Sequence, residues 1–299
     1  MNKLRRREAL EGYLFILPGL LGLLIFMVGP IIATVAFSFA EYDLIQPPRF
    51  IGAKNFLRLF SDPLFAQSLK VTFTYVILSV PLSTAVALAL ALLLFQRVKG
   101  LAVFRTIFYI PSVLPSIVSA VLWIWLYNPQ FGLINYVLKL LGIQGPRWLY
   151  DPHWVLPAFA IMGAWNVGPT MIIFLAGLEN IPRVYWEAAT VDGANAWHRF
   201  RYVTLPLLSP TTFFVVVTST IGAIQTFVQP YVMGGGGVGG LGAPMNATLF
   251  SVIYLYQQGF RFFNMGYASA ISWVVTTIII LLTLLNFALS RYWVHYSVE

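Results

Sequence analysis

Apolar runs of twenty residues or more alternate with short polar stretches along the whole chain. Six stand out, at 12–39, 71–95, 106–127, 154–178, 208–232 and 265–290. A run of about 20 apolar residues spans the hydrocarbon layer as an α-helix. Inside lipid the backbone must satisfy its own hydrogen bonds, so helices or closed barrels are the only choices. No run alternates with the period of two that a barrel needs. The pattern predicts an all-α polytopic membrane protein with six transmembrane helices. The first run follows Lys3, Arg5, Arg6 and Arg7, and Ser38-Phe39-Ala40 faintly suggests a signal cleavage site. Its length is nearly twice that of a signal core of about 7–15 residues, which predicts a retained span.

The polar stretches set the orientation. An even number of spans puts both ends on one side. On that side fall Lys3, Arg5, Arg6, Arg7, Arg97, Lys99, Arg105, Arg183, Arg199, Arg201 and Arg291, eleven cations. The other side holds Arg49, Lys54, Arg58, Lys70, Lys139, Arg147 and Arg261, seven cations over longer loops. Lys and Arg accumulate on the cytoplasmic side, so both termini are expected to be cytoplasmic. Of the outward loops, 41–70 is polar. The loop 128–153 contains a stretch at 132–142 that reads as a short amphipathic surface helix. The third begins with Gly234–Gly237 and Gly239-Gly240. No Gly-Lys-Ser/Thr follows, so it is no phosphate loop, and it reads as a hinge or partner contact.

Composition agrees with this reading and removes other classes. Of 299 residues, 59% are apolar and only 9% charged. A soluble domain carries about 25% charged residues. The net charge of +8 reads as basic cytoplasmic loops rather than nucleic-acid binding. With no cysteine, no disulfide or thiolate metal site can form, and His153, His198 and His295 are too scattered to ligate a metal. No Asp, Glu, Lys or Arg lies at 71–96, 106–138, 202–260 or 262–290. Ion-coupled carriers use ionisable groups in the membrane, and an intramembrane hydrolase needs a base or a metal ligand. No catalytic residue is therefore assigned, and if the chain moves solute uphill the energy is expected from outside it.

The most informative polar stretch runs from Leu178 to Pro210. It reads as two short cytoplasmic helices. Asn180 can cap the first, Pro182 sits early in it, and Asp192-Gly193 stops it, with Gly193 suited to a left-handed position. The second passes through Trp197 and Phe200 and ends near Leu205-Pro206. Ala188, Ala189, Gly193 and Ala194 allow close approach by another surface, and Glu187 and Asp192 offer it carboxylates.

The order and spacing of Glu187-Ala188-Ala189, Asp192-Gly193-Ala194, Phe200, Leu205-Pro206 and Pro210 resemble the "EAA" loop of permeases in binding-protein-dependent ABC importers. Arg105-Thr-Ile-Phe-Tyr-Ile-Pro111, Gly132-Leu-Ile-Asn135 and Gly266-Tyr-Ala-Ser-Ala-Ile-Ser-Trp273 resemble its carbohydrate-uptake branch. Gly12-Tyr-Leu-Phe-Ile-Leu-Pro18 through Pro30 and Phe37-Ser38-Phe39 resembles the first of two permeases in such systems. Two departures stand out. Met233 and a longer glycine run replace the family's Thr-x-Gly-Gly-Pro, and Trp186 stands where a smaller or hydrophobic residue is usual.

The resemblance implies a type I ABC importer permease fold in a bacterial or archaeal plasma (inner) membrane. It implies residues 1–68 as a first helix and outer loop, and 69–290 as a five-helix core carrying the coupling loop 179–207. Residues 291–299 would be a cytoplasmic tail. Glu187, Ala188, Ala189, Asp192, Gly193, Ala194, Leu205 and Pro206 would couple to an ATPase. The implied partners are a second homologous permease, two ABC ATPase subunits and an extracytoplasmic solute-binding protein. This chain would bind no cofactor, ATP and Mg residing on the ATPase. The solute would be a sugar or oligosaccharide, with glycerol phosphate or another polar metabolite as the alternative. An ion-coupled carrier and a membrane enzyme or scaffold are the competing classes.

Uncharged polar residues are the candidates for the solute path. The 208–232 run offers Ser219, Gly222, Gln225, Thr226 and Gln229, whose spacing predicts one helical face. The 154–178 run offers Asn166, Gly168 and Thr170 beside Pro169, a natural place for a distorted turn. Pro111 and Pro115 are expected to kink the third run.

Overall fold

The computed structural model describes residues 3–96, 100–235 and 242–295. Arg97, Lys99, most of the glycine run and the last four residues lie outside the described residues. The first span is α1 (Lys3–Leu23), a π turn (Leu24–Val28) and α2 (Gly29–Ser38). The π turn ends two residues before Pro30. A proline has no N–H to give and crowds the preceding turn, and a wider turn absorbs both defects. The outer loop that follows departs from an all-helical pattern. β1 (Ala40–Glu41) pairs antiparallel with β2 (Arg49–Phe50), ahead of α3 (Lys54–Ser61). Next comes α4 (Pro63–Phe95), the longest helix, which starts well before the apolar run at 71.

The third and fourth predicted spans are each two helices. α5 (Leu101–Val113) and α6 (Ser116–Leu126) meet at 98°, and α7 (Leu133–Leu140) is the short helix expected in the second outer loop. α8 (Val155–Trp165) and α9 (Gly168–Glu179) meet at 53°. The coupling segment holds α10 (Arg183–Val191), α11 (Ala196–Arg199), a π turn (Phe200–Thr204) and α12 (Leu205–Leu207). The stretch Ala196–Leu207 then bends by 65° into α13 (Ser209–Ile224). α14 (Val228–Gly235), α15 (Ser251–Tyr256), a further π turn (Gln257–Arg261) and α16 (Met265–Ser290) complete the chain. Leu10–Ser38, Pro63–Phe95 and Met265–Ser290 are each long and apolar enough to cross a membrane, and counting each bent pair as one span gives six. The breaks fall at Pro115 and just before Pro169 and Pro210, where proline suits a helix start and not a helix interior.

The chain forms two compact units, Met1–Asp62 with Leu255–Thr276, and Pro63–Tyr254 with Thr277–Glu299. In the first, buried Asn55 ties the hairpin down: its Nδ2 donates to the carbonyls of Ser38 (3.1 Å) and Ala40 (2.9 Å). The Gly266 N–H donates to the Tyr42 carbonyl at 3.2 Å. The Ala40 carbonyl presses so close on Gly266 that a Cβ there has no room.

In the second unit α4 packs against α8, α9 and α13. Ala87 and Ala91, one turn apart and fully buried, let Met171, Phe174 and Leu178 of α9 approach. Small residues are the usual means of close helix approach in membranes, where water supplies no driving force between helices. Gly177 does the same for α9 against 208–211: a Cβ there would meet Thr211 Oγ1 at 2.6 Å.

Candidate functional site

The coupling hairpin is built by local hydrogen bonds. The first helix is capped by Pro182, not Asn180, and has no side-chain cap. Its far end is closed by Gly193 at φ +78°, as Asp192-Gly193 predicts. The Ala194 N–H donates to the Ala189 carbonyl (2.9 Å) and the Gly193 N–H to that of Thr190 (3.1 Å). That pair of bonds is a Schellman closure, which needs a left-handed residue at the stop position. Asn195 then caps α11 by accepting the His198 N–H at 2.9 Å, a cap the sequence reading passed over.

Two side-chain contacts join the hairpin's arms. Arg199 donates to Thr190 Oγ1 at 3.1 Å, and the Trp186 Nε1–H donates to Thr204 Oγ1 at 3.1 Å. The Trp186 ring also lies 5.5 Å from that of Phe95, at the cytoplasmic end of α4. Trp186 thus points inward, and its departure from the usual residue is filled by packing. Glu187, Ala188, Asp192 and Gly193 are exposed, while Ala189, Ala194, Leu205 and Pro206 are half-buried. Around them Val184, Val191 (88% exposed), Trp197 and Tyr202 stand in the open. Apolar side chains exposed together on a short hairpin make it a candidate docking face.

The path candidates divide. The expected single face across 219–229 does not form, because α13 ends at Ile224 and Gln225 takes a non-helical turn. Pro230 is the physical reason: a continuous helix would lose its bond to the Thr226 carbonyl and clash with it, whereas Pro230 sits comfortably in the first turn of α14. Ser219 and Gly222 stay on α13, Gln225 and Thr226 fall in the break, and Gln229 rides on α14. Asn166 lies at the predicted distortion between α8 and α9 and is exposed, with Thr170 half-buried beyond it. Gly168 is used in packing: a Cβ there would meet Tyr109 Cα at 3.0 Å and the Phe108 carbonyl at 3.1 Å.

The structure adds members that sequence reasoning missed. The buried Tyr75 hydroxyl faces Ser79 and Thr226, although nothing lies close enough to Ser79 Oγ to bond it. The bare backbone of Gly163 approaches the same hydroxyl, 3.5 Å from where a Cβ would stand. Trp123 packs edge-on against Trp165, ring centres 5.8 Å apart. Trp123 Nε1, Ser119 Oγ and Ser79 Oγ are buried without a hydrogen-bond partner. Such groups are costly inside a protein unless something else satisfies them. Isolated polar residues in apolar runs were the available signal. Among the described residues no cluster of three His, Asp or Glu could hold a metal.

Helical spans, three of them bent, and a hairpin carrying exposed apolar side chains define a helical membrane subunit. Residues 80–295 match the family of binding-protein-dependent transport system inner membrane components, and the chain belongs to it. It is a multi-pass inner-membrane permease subunit of an ABC importer, not itself an ATPase, and it works with a solute-binding protein. It is 44% identical over 295 residues to the probable ABC transporter permease protein YesP of Bacillus subtilis, covering 98% of this chain and 94% of the relative. It is 37% identical over 293 residues to the trehalose/maltose transport system permease protein MalF of Thermococcus litoralis, covering 97% of each. In fold it is similar to a chain of a bacterial ABC transporter that imports the acidic polysaccharide alginate. That TM-score is 0.81, at 24% identity and 96% coverage of each chain.

Proposed function

We infer that this permease carries a sugar or oligosaccharide, in an assembly with a second related permease, two ATPase subunits and the solute-binding protein. The observation that carries the reading is a pair of buried polar atoms without a partner, Ser79 Oγ near the Tyr75 hydroxyl and Trp123 Nε1 on the ring that packs against Trp165, neither of them charged. Sugar hydroxyls both donate and accept, and the apolar face of a pyranose ring stacks on aromatic rings. A phosphorylated solute would instead call for a cation. The relative named for trehalose/maltose transport supports the same class. Asn166, Thr170, Ser219, Gln225, Thr226 and Gln229 extend the polar lining, Gly222 contributes backbone, and Gly168 packs behind it.

On the cytoplasmic side, Glu187 pairs with a basic residue of the ATPase groove. Ala188, Ala189 and Ala194 let the groove wall approach, and Asp192, Gly193, Leu205 and Pro206 hold the hairpin's shape. ATP and Mg are bound by the ATPase. Its closure moves the hairpin, and the spans exchange between inward-open and outward-open states, an equilibrium biased by differential binding to the two. The test is uptake by the reconstituted importer in proteoliposomes across a panel of saccharides and anionic metabolites. ATP-dependent uptake of a neutral saccharide is expected. Trp123→Phe, which keeps an aromatic ring of smaller area and removes the donor, should lower that uptake while assembly is retained. Accumulation under a proton or sodium gradient without nucleotide would overturn the reading, as would uptake confined to anions.

A further inference from the structure

The coupling segment Ala196–Leu207 bends by 65° into α13, and the bend falls at Leu208. Pro210 has no N–H to give to the Pro206 carbonyl four residues back. The Ser209 hydroxyl donates to that carbonyl at 2.6 Å and so spans the bend. A hydroxyl carries one proton and two lone pairs. With its proton committed to Pro206, Ser209 can only accept from a further partner. That partner is the backbone 86 residues on: the His295 N–H donates to Ser209 Oγ at 2.8 Å. Ser209 is buried, which keeps water from competing freely for the bond.

The segment that reaches the bend has a shape of its own. α16 ends at Ser290, and the N–H groups of Trp293 (3.1 Å) and Val294 (2.8 Å) both donate to the Ser290 carbonyl, closing a turn. The Ser290 hydroxyl donates to the Phe287 carbonyl at 2.8 Å. Phe213, one turn into α13, meets two rings from this end of the chain edge-on. Its centre lies 5.0 Å from that of Phe287 and 6.2 Å from that of Trp293. Edge-to-face pairs of this kind add to the stability that burial gives. All of these residues belong to the second compact unit.

The hairpin is continuous with α13, so any movement of the hairpin reaches that helix through the chain itself. Its tie to α16 is the Ser209 node. We propose that Ser209 and the turn at 291–295 position the last span on the bend of the coupling segment, so that displacement of the hairpin is delivered to α16 as well as to α13. Ser209 acts through the backbone of residue 295, and the imidazole of His295 has no part in it. The proposal rests on the hairpin being the element that the ATPase moves.

The test uses the complete importer in proteoliposomes, with MgATP and the importer's own solute-binding protein purified with its bound solute. The readout is the ratio of ATP hydrolysis with and without that protein. His295→Pro removes the N–H and leaves the bond to Pro206 in place. It should lower the ratio about two- to tenfold, the shift in equilibrium that one hydrogen bond supplies. His295→Ala keeps the N–H and should hold the wild-type ratio. Ser209→Ala should lower the ratio and speed deuterium exchange in peptides containing residue 295, and Ser209→Thr, which keeps the hydroxyl, should restore both. Thermal unfolding of the assembled complex reports that each variant is folded, and position 295 lies beyond the last span, where a proline leaves the helices intact. A normal ratio in His295→Pro would overturn the proposal. So would an equal loss in His295→Ala, which would assign the effect to the imidazole, or unaltered exchange in Ser209→Ala, which would show that the bend does not hold the tail. Absence of any stimulation in the wild type would instead bring down the importer reading, and that failure is visible before any variant is made.

Discussion

Gly193 offers a perturbation whose cost can be isolated. It closes the coupling helix at φ +78°, and a Cβ at that position meets nothing within 4 Å. Within this chain a side chain added there clashes with no neighbour, so the penalty on the hairpin's own fold comes from the backbone alone. For an L-residue the left-handed conformation costs roughly 1–2 kcal/mol, least for Asn or Asp and most for β-branched residues. At about 1.4 kcal/mol per factor of ten, Gly193→Val disfavours the closed turn about five- to thirtyfold. Opening it breaks the bonds from Ala194 and Gly193 and releases the Asp192–Ala194 corner that joins α10 to α11. The packed core of Ala87, Ala91, Phe174 and Leu178 lies elsewhere and is untouched. We expect Gly193→Val to insert and assemble normally, with binding-protein-stimulated ATPase activity and uptake both reduced. Gly193→Asn should stay near wild type. The assay is stimulated ATP hydrolysis and solute uptake in proteoliposomes, normalised to assembled complex by size-exclusion chromatography. A Val variant that transports like wild type would refute the reasoning. So would equal losses in Asn and Val, since a backbone penalty ranks them and a lost contact does not.

Other outcomes follow from single contacts. Trp186→Phe removes the bond to Thr204, worth about 1 kcal/mol, and keeps the ring against Phe95. Trp186→Ala removes both contacts and should raise the ATP hydrolysed per solute imported well beyond the Phe variant. Equal ratios in the two would show that the ring contact transmits nothing. Gly168→Ala forces a Cβ to within 3.0 Å of Tyr109 Cα. Overpacking of this kind costs about 1–3 kcal/mol, so thermal unfolding in detergent should occur earlier while the preference among saccharides is unchanged. At the outer hairpin, the N–H groups of Gln46 and Ile45 hold the Asp43 carboxyl below its ordinary value. The folded-state value is depressed, so this contribution is fully present at neutral pH and is lost only as pH falls through the depressed value. The protection of the Ile45 and Gln46 amides, their exchange taken relative to the intrinsic base-catalysed rate at each pH, should be flat through the neutral range and fall only in acid. In Asp43→Ala protection should be low throughout, and loss of wild-type protection near neutrality would contradict the assignment.

The parts legible in the sequence are those whose cause is local. The turn at Asp192–Ala194 closes through bonds spanning three to five residues, so its glycine announces it. The helix breaks at Pro115, Pro169 and Pro210 follow from a missing N–H and a fixed φ. Lipid amplifies the proline signal, because an unsatisfied backbone group costs more there than in water. The break at Gln225 escaped the reading because its cause, Pro230, lies five residues further on, inside an apolar run that otherwise continues. The hairpin at Ala40–Phe50 escaped for another reason. Its strands are two residues long, below any periodicity, and they are held by Asn55 and by Gly266, more than two hundred residues away.

The interior of the path shows the same limit more sharply. Tyr75, Ser79, Ser119 and Trp123 are ordinary residues of apolar helices when read singly. They become a candidate site only because α4 packs on α8, which brings Gly163 against Tyr75, and because Trp123 of α6 meets Trp165. A spacing rule on one helix cannot supply that apposition. The face predicted across 219–229 was such a rule, and the chain broke it at Gln225–Thr226, in the middle of the polar set. Residues freed from a regular helix expose backbone as well as side chains. Irregular backbone at membrane depth is tolerated only where protein buries it or a water-filled cavity receives it. The breaks at Asn166 and at Gln225–Thr226 are therefore stronger pointers to the solute path than the polar side chains that first drew attention to these spans.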